Sequence, residues 1–293
     1  MWGALELGLI FALVALGVFI SFRILRFPDL TVDGSFPLGG AVAATLISMG
    51  WDPFSATISA ILRGALAGMI TGWLNVRLKI MDLLASILMM IALYSINLRI
   101  MGRPNVPLIM EPTVFTALLP EGGVDYIARP VMLLILVVMA KVLLDWFFST
   151  QTGLALRATG SNARMARAQG VATGGAILLG MAISNGLVAL AGALFAQSQG
   201  GADISMGIGT IVIGLAAVIV GESILPSRKL VWATLAVILG AILYRFFIAM
   251  ALNVDAIGLK AQDLNLVTAV LVTVALVIPL LKKKRASTSQ GGK

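Results

Sequence analysis

The stretch Gly153-Leu154-Ala155-Leu156-Arg157-Ala158-Thr159-Gly160-Ser161-Asn162-Ala163-Arg164-Met165-Ala166-Arg167-Ala168-Gln169-Gly170-Val171 is a polar island between two long apolar runs. Ser161 or Asn162 can accept a hydrogen bond from the free N–H groups of a first helical turn. Residues 163–169 are mostly good helix formers, and Gly170 suits the left-handed conformation that ends a helix. A helix this short does not stand alone in water. Held by a span on either side, a capped cationic helix of this length reads as a rigid knob offered to a partner outside the bilayer.

The surrounding composition is that of a membrane protein. Mean hydropathy is +1.03 and only 12% of the 293 residues are charged, against about 25% in a soluble domain. No stretch outside the apolar runs is long enough to fold by itself, so residues 1–285 read as one transmembrane domain and residues 286–293 as a disordered cytoplasmic tail. The net charge of +8 does not point to nucleic acid, because no stripe of basic and aromatic residues accompanies it. The run Lys282-Lys283-Lys284-Arg285 reads instead as a cytoplasmic stop signal with some attraction for anionic lipid. The chain has no cysteine and no histidine, which removes disulfides, thiolate or imidazole metal sites and histidine-based triads. A GxxxxGK[ST] phosphate loop is absent as well, so any nucleotide hydrolysis belongs to another chain.

A span needs about 20 mainly apolar residues, and the fold class expected is an all-α polytopic membrane protein with about nine transmembrane helices. The runs are roughly 3–22, 35–50, 54–75, 83–101, 130–148, 173–197, 205–224, 230–252 and 264–281. Placing the N-terminus outside makes the segments 23–34, 76–82, 149–172, 225–229 and the C-terminal tail cytoplasmic. Those segments then hold Arg23, Arg26, Arg77, Lys79, Arg157, Arg164, Arg167, Arg228, Lys229, Lys282, Lys283, Lys284, Arg285 and Lys293. The outer ones hold only Arg103, Arg129 and Lys260. That asymmetry follows the positive-inside rule. The first run lacks a basic leader and is followed by Arg23 and Arg26, so it reads as a retained span.

Two segments are poor continuous helices. Pro28-Asp29-Leu30-Thr31-Val32-Asp33-Gly34-Ser35-Phe36-Pro37-Leu38-Gly39-Gly40 concentrates acids, prolines and glycines at the start of a short span. Asp203-Ile204-Ser205-Met206-Gly207-Ile208-Gly209 repeats its order of acid, aliphatic, hydroxyl, aliphatic and glycine. Irregular backbone at membrane depth is tolerated only where protein buries it or water reaches it. The two therefore read as broken or re-entrant helices related as a weak inverted repeat, with helix starts at opposite membrane faces. Ordinary helix capping by Asp and Ser accounts for the pattern equally. Asp29, Thr31, Asp33, Ser35, Ser205, Gly207 and Gly209 are the candidates for a translocation path. Arg63 and Arg245 lie deep within spans and need protein or water around them, as path residues or as structural ones. Gly64, Gly68 and Gly72 form a face for close helix approach. Lys141 and Asp145 are placed to pair along one helix, Glu6 reads as interfacial, and Glu222 reads as a partner of the coupling region or a headgroup-level acid.

Together these motifs resemble one family across nearly the whole chain: the permease subunits of bacterial ABC importers for branched-chain amino acids, ribose and related sugars. Asp29-Leu30-Thr31-Val32-Asp33-Gly34-Ser35 is similar to the family's early helix break, and Asn75-Val76-Arg77-Leu78-Lys79-Ile80 to its first inner loop. The stretch from Thr152 through Gly160, Asn162 and Ala166 to Gly170-Val171 resembles its T-x-x-G-x-x-x-x-A-x-G-x-N-x-x-x-A-x-x-x-G-I coupling loop. Gly207-Ile208-Gly209 and the run from Ile213 to Gly221-Glu222 resemble its later re-entrant segment, with Gly-Glu where the family commonly has Gly-Gly. The chain is nearer still to a subgroup paired with binding proteins of the tryptophan-transporter type.

The resemblance implies a transport subunit without an ATPase site, in a bacterial cytoplasmic membrane. Its implied partners are a second permease chain, with a homodimer favoured, cytoplasmic ATPase subunits that use ATP and Mg, and an extracytoplasmic substrate-binding protein. No cofactor is implied for this chain itself. Arg157, Ser161, Asn162, Ala163, Arg164, Met165, Ala166, Arg167, Gln169 and Gly170 would then be the ATPase-coupling residues, and an amino acid the favoured cargo. The alternative is an ion-coupled secondary carrier in which Asp29, Asp33 or Asp203 takes a proton or sodium ion. A membrane enzyme fits poorly, since Lys141 has no serine within a helical turn.

Overall fold

The computed structural model describes residues 2–118, 125–227, 229–252 and 273. The described residues form helices and one short strand pair, joined by short connecting segments. Helix α1 spans Trp2–Val18 and closes in a π-helical turn, Phe19–Ile24. Then follow α2 (Val32–Ser48), α3 (Pro53–Leu78), α4 (Asp82–Met101), strand β1 (Asn105–Pro107), α5 (Val114–Leu118) and α6 (Asp125–Ser149). Helices α7 (Gln151–Ser161), α8 (Ala163–Ala168) and α9 (Thr173–Gln199) come next. They are followed by strand β2 (Gly201–Asp203), α10 (Thr210–Ile224) and α11 (Leu230–Leu252).

Among the described residues six helices are long and apolar enough to cross a bilayer: α1 with its π-helical turn, α3, α4, the 127–149 part of α6, α9 and α11. The sequence suggested about nine. The run 264–281, Lys260 and the basic tail lie outside the described residues. The other two differences have a physical cause. At 1.5 Å per residue, α2 (17 residues) and α10 (15 residues) extend only about 25 and 22 Å, short of a hydrocarbon layer of about 30 Å. Each is preceded by a non-helical segment, residues 25–31 and 204–209, which supplies the missing length.

Helices α1, α2 and α9 form the interior. Residues 8–18 of α1 are all buried, as expected of a helix that is apolar all round. Helix α9 packs against α1, α2 and α3. The face made by Gly64, Gly68 and Gly72 meets α9: a Cβ on Gly68 would lie 2.1 Å from the carbonyl oxygen of Met181. Helices α3, α4, α6 and α11 turn Leu62, Ile91, Ile135, Trp146 and Phe247 outward, the apolar exterior that a lipid solvent or a second chain requires.

The ends of the bundle differ. At one end, β1 and β2 pair antiparallel, with Asn105 opposite Asp203. Near it Glu6 accepts from Ser198 Oγ at 2.6 Å, fastening α1 to α9. At the other end stand α7 and α8, with the close of α1 and the start of α9 beside them. Between α4 and α6 stand β1 and α5, with Val114 N–H donating to Gln197 of α9 at 2.9 Å. Lys141 and Asp145 pair within α6 as their spacing suggests. Asp145 also accepts from Thr234 at 2.9 Å, tying α6 to α11.

Candidate functional site

The polar island folds as two helices. Thr150 caps α7, its hydroxyl accepting from Gly153 N–H at 3.3 Å. Gly160 then lets α7 lie on the end of α1, since a Cβ there would fall 1.8 Å from the Ile24 carbonyl oxygen. Ser161 is the last residue of α7 and caps nothing. The cap is Asn162, with extended backbone and Oδ1 accepting from Met165 N–H at 3.1 Å. Gly170 closes α8 at φ +84°, and Val171 N–H returns to the Ala166 carbonyl at 3.0 Å, the hydrogen-bonding pattern of a left-handed C-terminal cap.

Every residue of α8 except Ala166 is exposed. Ala166 is 5% exposed and seats the helix on the bundle, whereas Met165 is 63% exposed and projects from it. Arg164 and Arg167 are exposed as well, and Arg167 Nη2 donates to Thr173 Oγ1 at 3.1 Å, bracing α8 against the first turn of α9. Beside this brace a polar cavity of about 540 Å³ is lined by Asn75, Lys79, Arg167 and Thr173. Arg157 lies exposed on α7. The result is a cationic knob fixed at both ends to long helices.

The two broken segments meet each other. The sequence placed their helix starts at opposite faces. In the structure the start of α2 touches the start of α10, because each segment enters the bundle unwound and its helix begins inside. Asp33, in the first turn of α2, accepts from Ile211 N–H at 2.7 Å and Gly209 N–H at 3.3 Å. Gly209 is the residue before α10 and has no side chain to cap it. Asp33 therefore does so from 176 and 178 residues away. Gly207 permits the approach, since a Cβ there would sit 2.1 Å from the Asp33 carbonyl oxygen. The stretch 32–40, expected to resist helix formation, is helical with Pro37 inside it; the irregular backbone is 25–31.

Asp29 is fully buried. It accepts from Thr31 N–H at 2.9 Å and Asn185 Nδ2 at 2.8 Å. Asn185 Oδ1 in turn accepts from Ser35 at 2.7 Å, and the hydroxyls of Thr31 and Thr71 lie 3.0 Å apart. These bonds fasten the unwound segment to α3 and α9 and satisfy its buried polar groups. Asp203 stands apart at the strand pair, where it accepts from Ser205 N–H at 2.8 Å and from the Ser205 hydroxyl. Those bonds hold its carboxyl below the usual range.

The remaining candidates scatter. Arg245 packs between α11 and α1 with its guanidinium 3.9 Å over the Phe11 ring, a cation–π contact, and Phe11 in turn stacks on Phe36 of α2 at 5.7 Å. Arg63 lies exposed on the outer face of α3. Glu222, at the end of α10, pairs with Arg23 at 2.6 Å rather than with α7 or α8. Asn185 was not among the expected site residues, although an amide in the middle of the apolar run 173–197 is the kind of signal that marks a buried polar node.

This architecture defines a multi-pass helical membrane protein with two half-helices meeting inside and a braced basic helix at one end. Residues 2–279 match the family model of the permease component of branched-chain amino acid transport systems, and the chain belongs to that family of ABC importer permeases. It is similar to the tyrosine transport system permease protein of Clostridioides difficile (strain R20291), 41% identical over 265 residues, covering 90% of this chain and 86% of that one. It is also similar to an uncharacterized protein of Rickettsia prowazekii (strain Madrid E), 35% identical over 93% and 95% of the two chains. A galactofuranose transporter permease protein of Escherichia coli (strain K12) is 28% identical over 66% of this chain and 55% of its own length. No solved structure matches the chain.

Proposed function

We propose that the chain is the membrane-spanning subunit of an ATP-driven importer in a bacterial cytoplasmic membrane, N-terminus outside, passing an amino acid from an extracytoplasmic binding protein to the cytoplasm. Two copies form the membrane domain, and separate ATPase subunits bind the ATP and Mg. The observation that carries this reading is α8. A six-residue helix, capped at both ends, exposing Arg164, Met165 and Arg167 and braced to α9 through Thr173, transmits a push at its surface into the bundle. Closure of an ATPase pair would move α7 and α8, and with them the end of α1, the start of α9 and the half-helices meeting at Asp33. Family membership supports an importer permease, and the tyrosine permease relative favours an amino acid over a sugar.

The ion-coupled carrier is the weaker reading because the carboxylates it needs are engaged. Asp33 is spent on the backbone of α10 and Asp29 on Thr31 and Asn185, which leaves neither open to a cation. The test is a pull-down of the intact membrane protein with the ATPase encoded beside it, repeated with Arg164→Glu and Arg167→Glu together. Capture by the parent and loss on charge reversal is the expected result. Uptake in vesicles that contain no ATPase would overturn the proposal.

A further inference from the structure

The charged side chains set well inside the described spans differ in how they are covered. Lys141 and Asp145 pair with each other, and Arg245 lies over the Phe11 ring. Arg63 has neither kind of cover. It is exposed on α3 and makes no ion pair or side-chain hydrogen bond among the described residues. Trp51, just before α3, and Trp73, toward its other end, are exposed and suit the two headgroup levels, where tryptophan concentrates. Arg63 falls between them, about 15 Å along the helix from Trp73 and so near the middle of the hydrocarbon layer. A guanidinium at that depth is unfavourable against lipid tails and needs protein or water around it. Its side chain leans toward the N-terminal end of the helix, but Pro53 is about 15 Å away, farther than an arginine side chain extends.

Helix α4, which packs against α3, shows the same departure from a lipid-facing surface. Tyr94 and Ser95 are exposed on it near the depth of Arg63, in the half of α4 that leads to the strand-pair end. Helix α6 is the contrast, since from Val131 to Trp146 it exposes only apolar side chains. We propose that the face formed by α3 and α4 is where a second copy of this chain docks, with Arg63 of each copy donating to the Tyr94 and Ser95 hydroxyls of the other. A two-fold contact is self-complementary, so one face serves both copies. A donor on α3 matched to acceptors on α4 meets that requirement. Leu66 and Ile70, exposed on the turns that follow Arg63, supply apolar contact beside the polar one. The inference rests on the importer reading with its two copies and adds the face that they share.

The absence of cysteine from the chain gives a direct test, because Leu66→Cys on α3 and Val138→Cys on α6 each carry a single thiol. Both positions are exposed. Each variant is labelled with a nitroxide and reconstituted with the ATPase and the binding protein, and the separation between labels on two copies is read by double electron–electron resonance. A shorter separation at Leu66→Cys than at Val138→Cys is expected, with Ile70→Cys in its place should Leu66→Cys not insert. Adding Arg63→Leu is expected to reduce the dipolar signal of the α3 label, and Arg63→Lys to retain it. A longer separation on α3 than on α6, or a signal unchanged by Arg63→Leu, overturns the shared face while persisting ATP-dependent uptake leaves the importer intact. A complex that pairs one copy of this chain with a different permease gives no dipolar signal at either position and overturns the second copy as the occupant. Uptake without the ATPase overturns the importer reading itself.

Discussion

A single carboxylate, Asp33, joins the two irregular regions of the chain. Replacing it by Ala removes the acceptor for Gly209 and Ile211 N–H at the start of α10. Loss of a helix N-cap costs about 1 to 2 kcal/mol. The expected outcome is a lower melting temperature in detergent with the protein still folded, and an unchanged melting temperature would show that α10 is held otherwise. Asp203 is a second acid with a separate role. Its carboxyl is held below the ordinary range, first by the Ser205 hydroxyl. A depressed folded-state pKa stabilises above the unfolded value and is lost only as pH falls through the folded one. Protection of the β1–β2 backbone amides from exchange should therefore persist as pH falls through the usual carboxylate range. In Ser205→Ala it should fail at higher pH than in the parent; equal profiles would remove the Ser205 contribution.

The contact of α3 with α9 depends on the absence of side chains at the element scale. Gly68→Leu would drive atoms into the Met181 carbonyl, which stands 2.1 Å from even a Cβ. Backbone cannot yield there without parting the helices. Overpacking of this kind costs about 1 to 3 kcal/mol or more, and the expected result is loss of the monodisperse peak on detergent chromatography. Helix α8 separates packing from docking within two residues. Met165→Asp puts charge on the exposed side and should abolish ATPase stimulation with insertion and yield unchanged. Ala166→Asp puts charge into the seat of α8 and should lower the yield of folded protein. The sequence treated Met165 and Ala166 alike, because which side of a two-turn helix faces the bundle depends on α7, α9 and the end of α1.

Long helices were legible at the scale of the whole molecule because hydropathy reports directly on transfer into lipid. The expected runs 54–75, 83–101, 173–197 and 230–252 fall within α3 (Pro53–Leu78), α4 (Asp82–Met101), α9 (Thr173–Gln199) and α11 (Leu230–Leu252). The runs 35–50 and 205–224 were legible as apolar and their leads as poor helix, but where each helix begins was not, since hydropathy does not distinguish helical from extended backbone. The basic residues Arg157, Arg164 and Arg167 gather on α7 and α8, while Asp203 and Glu6 lie toward the end that carries the strand pair.

Composition and local pattern by themselves determined that the chain enters a membrane, where its long helices run, that a capped basic helix interrupts them, and that two short spans have irregular leads. Each of these follows from transfer energies and short-range hydrogen bonding, which act over a few neighbouring residues. Tertiary structure alone decided that Asp33 caps α10. It also decided that Asp29 is consumed by Asn185 and that Glu222 meets Arg23. Those outcomes depend on groups tens to almost two hundred residues apart in sequence brought within 3 Å or so of each other, and long-range proximity is a property of packed helices, not of any stretch of chain.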